Sequence, residues 1–272
     1  IRTAELRHLN GGPGLLAPAA LAASAPSMRS AALLWVLPAM AWQHLKEIKD
    51  PQTYAALVYE PQGSGPWPLL LYLHGAGESG SNVADLISEG ATGTPPVALE
   101  KGNAIDALST QFVVVAPQTS RGWAPDEVAA FVKFLQGRLS LDPARLYVTG
   151  HSMGGSGSLH AATTGVFAAC AAVAPAGGAR PRDLMQVPVW AFHGRNDVIV
   201  PAAISERLIT AMHRAGASPD QARLTLYDEA PTPPGWPSSV GHASTIPAYS
   251  DPELYAWLLR HNEVRSVISS CL

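Results

Sequence analysis

Residues 147–158 read YVTGHSMGGSGS, and within them Gly150-His151-Ser152-Met153-Gly154 fits the pattern G-x-S-x-G. The stretch has two readings. Ser152 either opens an ordinary helix among small residues or is a nucleophile held on a strained turn. A serine that merely caps a helix needs no glycines around it. A tight strand-to-helix turn does need them, because it forces the serine into an unfavourable backbone conformation and leaves no room for bulk beside it. Gly150 and Gly154 supply that room, and Gly155 adds more. The surroundings decide between the two readings.

Upstream of the turn, RLYVTG (145–150) is a β-rich run; downstream, SMGGSGSLHAATT (152–164) has a helical pattern. The same alternation extends in both directions. Further β-rich runs are YAALVYE (54–60), PLLLYLH (68–74), QFVVVAP (111–117), AAVAPA (171–176), VPVWAFHG (187–194) and RLTLYDE (223–229). Several are almost continuously apolar, as strands of a parallel sheet covered on both faces must be. Helical patterns fill the gaps at 125–139, 202–216 and 251–262. Strand and helix in alternation predict a single α/β domain: a doubly wound, mostly parallel sheet with helices on both faces. The segment between Ala176 and Val187 is too short to hold a large cap domain.

In such a sheet, reactive groups sit on loops beyond the carboxyl ends of the strands. A hydroxyl needs a base to take its proton. Of the nine histidines, His242 in SSVGHAS follows the last β-rich run and precedes the final helix, where the chain order serine, acid, histidine puts the base. His74 and His193 each precede a glycine at a strand end and read as residues that satisfy loop backbone; His151 is the variable residue of the pentapeptide. The imidazole needs a carboxylate to fix its tautomer and stabilise its charged form. Asp197 in AFHGRNDVIVP has the right order and position, with Asp228 and Glu229 as rivals; Asp142, before Pro143, reads as a turn former. An attacked carbonyl also needs two donors for its developing charge. The backbone N–H groups of Met153 and of Ala76, in LHGAGESG, are the candidates. A phosphate cradle is a poor alternative for that glycine-rich loop, since no Gly-Lys-Ser/Thr follows it.

Composition narrows the chemistry further. The chain has 272 residues, 47% hydrophobic and 14% charged, with a formal net charge of −3. That suits a buried core and excludes the basic stripe a nucleic-acid partner would require. Two cysteines, Cys170 and Cys271, make no disulfide framework, and no Cys/His cluster has zinc spacing. The reading therefore calls for neither metal nor cofactor. A small molecule is the expected partner, and the oligomeric state is left open.

With HGAGESG, GHSMGG, HGRNDVIVP and the GH of His242 in this order, the chain resembles the α/β-hydrolase superfamily over about residues 52 to 264. Within it, RLYVTGHSMGGSGS, APQTSRGW and DPELYAWLL look most like the compact branch of carboxylesterases, feruloyl-esterase-like proteins and so-called predicted peptidases, near dienelactone hydrolase. The resemblance implies a Ser152–His242–Asp197 triad, an oxyanion hole at Ala76 and Met153, and hydrolysis of short-chain or aryl esters through an acyl-enzyme. Dienelactone hydrolases use a cysteine nucleophile, so Ser152 points to the serine esterases. The same triad suits a peptidase, an amidase or an acyltransferase, and a hydrolase-fold protein can bind a ligand without turnover. Trp123 and Trp236 are candidates for the pocket wall, with ordinary loop packing as the alternative for each.

Residues 1–50 differ from the rest, being rich in Ala, Leu and Pro and poor in acidic residues before Glu47. They read as an extension preceding a catalytic domain at 51–272. MRSAALLWVLPAMA (28–41) has one positive charge, a short apolar run and an Ala39-Met40-Ala41 end, the pattern of a secretory signal with Met28 as start. Its apolar run is too short to span a bilayer. Secretion is the expectation, with an organelle or the cytoplasm as alternatives.

Overall fold

The computed structural model describes residues 43–262. The signal-like segment at 28–41 and Cys271 lie outside these residues. Eight strands form one sheet in the order β1-β2-β4-β3-β5-β6-β7-β8. β1 (Lys46–Ile48), β2 (Ala56–Tyr59) and β4 (Val113–Pro117) pair antiparallel. From β4 onward, β3 (Trp67–Leu73), β5 (Leu141–His151), β6 (Ala169–Val173), β7 (Val189–Gly194) and β8 (Ala222–Tyr227) run parallel. This is the doubly wound, mostly parallel sheet expected. Among the described residues no large cap domain is present: β6 and β7 are joined by loop and a single 3-10 turn, Pro181–Leu184.

The alternation of side chains along each strand divides the core in two. On one face Leu69, Leu71 and Leu73, Val113 and Val115, Val148, Cys170 and Ala172 meet α3 (Pro125–Gln136), α4 (Met153–Ala162) and α5 (Ala203–Arg214). On the other, Leu70 and Tyr72, Val114, Tyr147, Ala171, Trp190 and Phe192 meet α1 (Pro95–Glu100), α2 (Asp106–Gln111), α6 (Thr245–Tyr249) and α7 (Pro252–Arg260). Both faces of the central strands are dry, which is why those segments read as unbroken apolar runs. The helices begin where local chemistry allows. α3 carries Pro125 in its first turn beside Asp126 and Glu127, and the Asp251 side chain accepts the Glu253 N–H at the start of α7.

Two features depart from expectation. A domain boundary at residue 51 falls too late, because Lys46–Ile48 pairs with β2 and Leu45 is buried in the core. Three residues carry too little periodicity to announce a strand, and pairing with β2 makes them one. The second departure is the long excursion from β3 to β4. Its Gly- and Ser-rich sequence folds into short 3-10 turns at Ala76–Glu78, Val83–Ile87 and Glu89–Ala91, then α1 and α2. This excursion walls the site described below. Among the described residues no helix is long and apolar enough to cross a membrane.

Candidate active site

Ser152 stands between β5 and α4 with φ 56° and ψ −113°. Only one other described residue besides glycine, Ala174, has positive φ. A side chain in that region costs on the order of 1–3 kcal/mol, so the surrounding structure must hold it there. The Ser152 N–H donates to the Val173 carbonyl at 2.9 Å, which fastens the turn to the end of β6. A Cβ on Gly154 would lie 1.8 Å from the Leu73 carbonyl oxygen, and one on Gly150 would lie 2.4 Å from the Gly154 carbonyl oxygen. Only bare backbone fits at either position.

His242 arrives on the loop from β8 to α6. Its Nε2 lies 3.0 Å from Ser152 Oγ and its Nδ1 lies 2.7 Å from Asp197 Oδ2. An ionised carboxylate only accepts, so Nδ1 carries the proton and Nε2 presents its lone pair to the serine hydroxyl. Asp197, on the loop after β7, is buried. Its Oδ1 accepts the Ile199 and Val200 N–H groups, each at 2.9 Å, and its Oδ2 also lies 3.5 Å from His193 Nε2. Burial alone would raise its pKa. Hydrogen bonds from His193, His242 and the Val200 N–H outweigh that and hold the carboxyl well below the usual carboxylate range. The rival Asp228 is exposed and pairs with Arg195 at 3.2 Å.

Two bridges, one from a side chain and one from backbone, join the loops that carry Asp197 and His242. The Asn196 amide bonds both the N–H and the carbonyl of Ala230, and the Val198 N–H donates to the Val240 carbonyl. His74 works at the oxyanion side. Its Nδ1 lies 2.6 Å from the Gly75 carbonyl oxygen and its Nε2 accepts the Thr119 N–H. The Gly75 carbonyl and the Ala76 N–H belong to one peptide unit, so His74 orients the candidate oxyanion donor. Met153 N–H sits in the first turn of α4, where leading N–H groups have no intrahelical acceptor and the helix dipole favours negative charge.

A cavity of about 240 Å³ opens over Ser152. Ala76, His242, Ile199 and Trp236 line it. Trp236 is half exposed and lies across Gly77 and Gly90. Val198, Ile199, Trp236 and Val240 are the exposed large hydrophobic residues among those described, and all four belong to the acid and base loops. Trp123 takes the packing alternative and not a place in the wall. It is buried, its Nε1–H donates to the His74 carbonyl at 3.1 Å, and its ring packs edge-on to His74. An indole satisfied in this way supports the strand end from behind and takes no part in the cavity.

The sequence reading missed His151 and Glu78. His151 Nε2 lies 2.8 Å from the His242 carbonyl oxygen, which can only accept, so the ring is an Nε2–H tautomer. Burial, and then the neighbouring His242, lower its pKa from 6.5 to about 4. The consequence for stability has a definite sign. The unfolded chain takes up a proton below 6.5 that the folded chain refuses, so His151 adds full stability above 6.5 and loses it as pH falls toward 4. His74 is lowered by burial and acts in the same direction, and Asp197 extends the loss below 3.8. Urea unfolding at pH 7, 5.5 and 4.5 is expected to register a loss of about 2 kcal/mol across this window. His151→Gln should flatten the slope.

A PET hydrolase-like family model matches residues 133–215, a segment that holds Ser152 and Asp197 and stops short of His242. No curated protein matches the sequence. Among solved structures, a thermostable esterase superposes with a TM-score of 0.61 at 25% identity, over 80% of this chain and 63% of that one. This chain thus spans less than two thirds of that esterase. A Klebsiella pneumoniae protein assigned as a dienelactone hydrolase superposes with a TM-score of 0.57 at 16% identity, over 79% of this chain and 98% of its own. The chain belongs to the α/β-hydrolase superfamily. The acylaminoacyl peptidase of Pyrococcus horikoshii also superposes, with a TM-score of 0.54 at 11% identity over 84% of this chain and 43% of that one. At that identity the likeness is one of fold.

Proposed function

We propose that this α/β-hydrolase is a serine esterase that cleaves short-chain or aryl carboxylic esters through an acyl-enzyme. The observation that carries the reading is the unbroken hydrogen-bonded series Ser152–His242–Asp197, with the serine at positive φ on the floor of a cavity. His242 takes the proton of Ser152 as Oγ attacks the ester carbonyl. Asp197, held ionised, stabilises the imidazolium that forms. The N–H groups of Ala76 and Met153 receive the oxyanion. The imidazolium then protonates the departing alcohol, and water, activated by the same histidine, releases the acid. The substrate preference follows from the walls. The cavity is small and uncapped, and its rim is apolar. A short acyl chain or an aromatic ring fills such a space, while a long chain trails into water. The similarities to an esterase and to a PET hydrolase-like family model agree with this choice.

Turnover of p-nitrophenyl esters from C2 to C12 is expected to peak at the short end. A phosphonate ester probe is expected to label the peptide containing Ser152, read by mass spectrometry. A folded protein that turns over none of the esters would sink the proposal. Trp236→Ala provides a further check on the wall. Loss of one aromatic contact face, worth about 1 kcal/mol, should raise KM for aryl esters roughly five- to tenfold with kcat little changed.

A further inference from the structure

The proposed triad leaves one buried carboxyl in the cavity unused. Glu78, at the end of the 3-10 turn Ala76–Glu78, is 6% exposed and lines the same cavity as Ser152 and His242. Its carboxyl bends back over Gly75. The point where a Cβ on Gly75 would stand lies 3.2 Å from Glu78 Oε2, 3.4 Å from His151 Nδ1 and 3.4 Å from the His151 carbonyl oxygen. Gly75 has φ −78° and ψ −177°, a conformation open to any residue, so the missing side chain matters for space rather than for backbone freedom. His151 spends its one N–H on the His242 carbonyl, which makes Nδ1 a lone-pair acceptor. Glu78 Oε2 and His151 Nδ1, both acceptors, therefore lie close together beside Gly75 in the wall of the cavity that holds Ser152 and His242.

Two acceptors in the wall of the cavity suit a hydrogen-bond donor carried by the substrate. We propose that Glu78 and His151 form a polar subsite in the cavity wall that selects esters bearing a hydroxyl or ammonium group close to the scissile bond. The inference rests on the esterase reading above and refines its substrate class. Burial raises the Glu78 pKa while backbone N–H groups of Glu78 and Gly75 oppose the rise, so the carboxyl gains from a donor that restores its solvation. A plain alkyl ester would displace water from this polar wall and offer it no donor in return.

The test compares kcat/KM for ethyl butyrate with that for ethyl 3-hydroxybutyrate, 2-hydroxyethyl butyrate and ethyl 3-aminobutyrate, followed by pH-stat. The enzymes are the wild type, Glu78→Gln and Glu78→Leu, with Ser152→Ala as blank. The readout is the ratio of each donor-bearing ester to ethyl butyrate, which cancels general damage to the site. In the wild type at least one ratio should reach about ten, as a hydrogen bond to a charged acceptor implies. In Glu78→Leu it should fall to about one. Glu78→Gln keeps an oxygen acceptor but no charge, so it should retain a hydroxyl preference and lose an ammonium preference, which tells the two donors apart. Ratios near one throughout in the wild type, or ratios unchanged in both variants, overturn the subsite and leave the esterase reading standing. Failure of the folded wild type to turn over any of the four esters overturns both.

Discussion

Ser152→Ala is expected to lower kcat on p-nitrophenyl butyrate by about 10⁶-fold while leaving the fold and KM close to those of the wild type. The size follows from how the three side chains act together. Without Oγ, no group within reach of His242 Nε2 can attack, and the histidine and aspartate have nothing to activate. Members of such a unit are strongly non-additive, so Ser152→Ala combined with His242→Ala should be scarcely slower than either alone. The residual rate, about 10³- to 10⁴-fold above water, would come from binding and from the N–H groups of Ala76 and Met153. Asp197→Asn should fall short of the serine variant, near 10⁴-fold, because an amide permits the wrong histidine tautomer without removing the nucleophile. Steady-state kinetics with active-site titration checks all of these. A Ser152→Ala enzyme of near-normal activity would mean that another residue is the nucleophile.

Gly154→Ala is expected to be the most damaging single methyl that can be added near the turn. Its Cβ would stand 1.8 Å from the Leu73 carbonyl oxygen and 2.4 Å from the Leu73 carbonyl carbon. Both are backbone atoms of a central strand, with parallel strands on either side of it. A flexible neighbour could rotate away, but a strand carbonyl in mid-sheet cannot. The start of α4 has to lift off β3, and with it go the positive φ of Ser152 and the Met153 N–H. A loss of about 4 kcal/mol is the expectation, equivalent to a Tm lower by roughly 8–16 °C in a domain of this size. Activity should be lost as well, since the serine moves. Gly122→Ala, where a Cβ would meet nothing within 4 Å, serves as the matched control and should change stability by less than about 0.5 kcal/mol. Differential scanning calorimetry on the pair decides the matter, and equal Tm values would show that the helix does not depend on the close approach.

The sheet was largely legible because its central strands are buried on both faces, and a run such as VVVAP or VWAFHG has few other uses. The positions of Ser152, Asp197 and His242 could be read for a related reason. Each follows a strand that announces itself, and each has glycine or turn chemistry beside it. What stayed hidden has no periodicity. β1 is three residues long and exists through its partner. The excursion from β3 to β4 is built of 3-10 turns whose order comes from contacts such as Gln118 Nε2 on the Glu78 carbonyl, forty residues apart. Trp123 and Trp236 both sit in loops of similar composition. Only tertiary packing sends the first into the core behind His74 and leaves the second over Gly77 and Gly90. His151 had a signal that composition could not decode. The variable position of G-x-S-x-G faces the base loop across the turn, and an imidazole there has a carbonyl to meet.

The Asn196–Ala230 and Val198–Val240 bridges give the catalytic assembly a particular mechanical grain. Acid and base ride on one stapled block, and the His151 Nε2–H bond to the His242 carbonyl ties that block to the turn that carries Ser152. A shift of the block therefore carries Asp197 and His242 together and pulls on the serine turn through His151, so the 2.7 Å and 3.0 Å contacts are held by one connected set of bonds. Changes along residues 230–241 would thus reach the candidate nucleophile by a second route, through the His242 carbonyl and the His151 ring, as well as through the base itself.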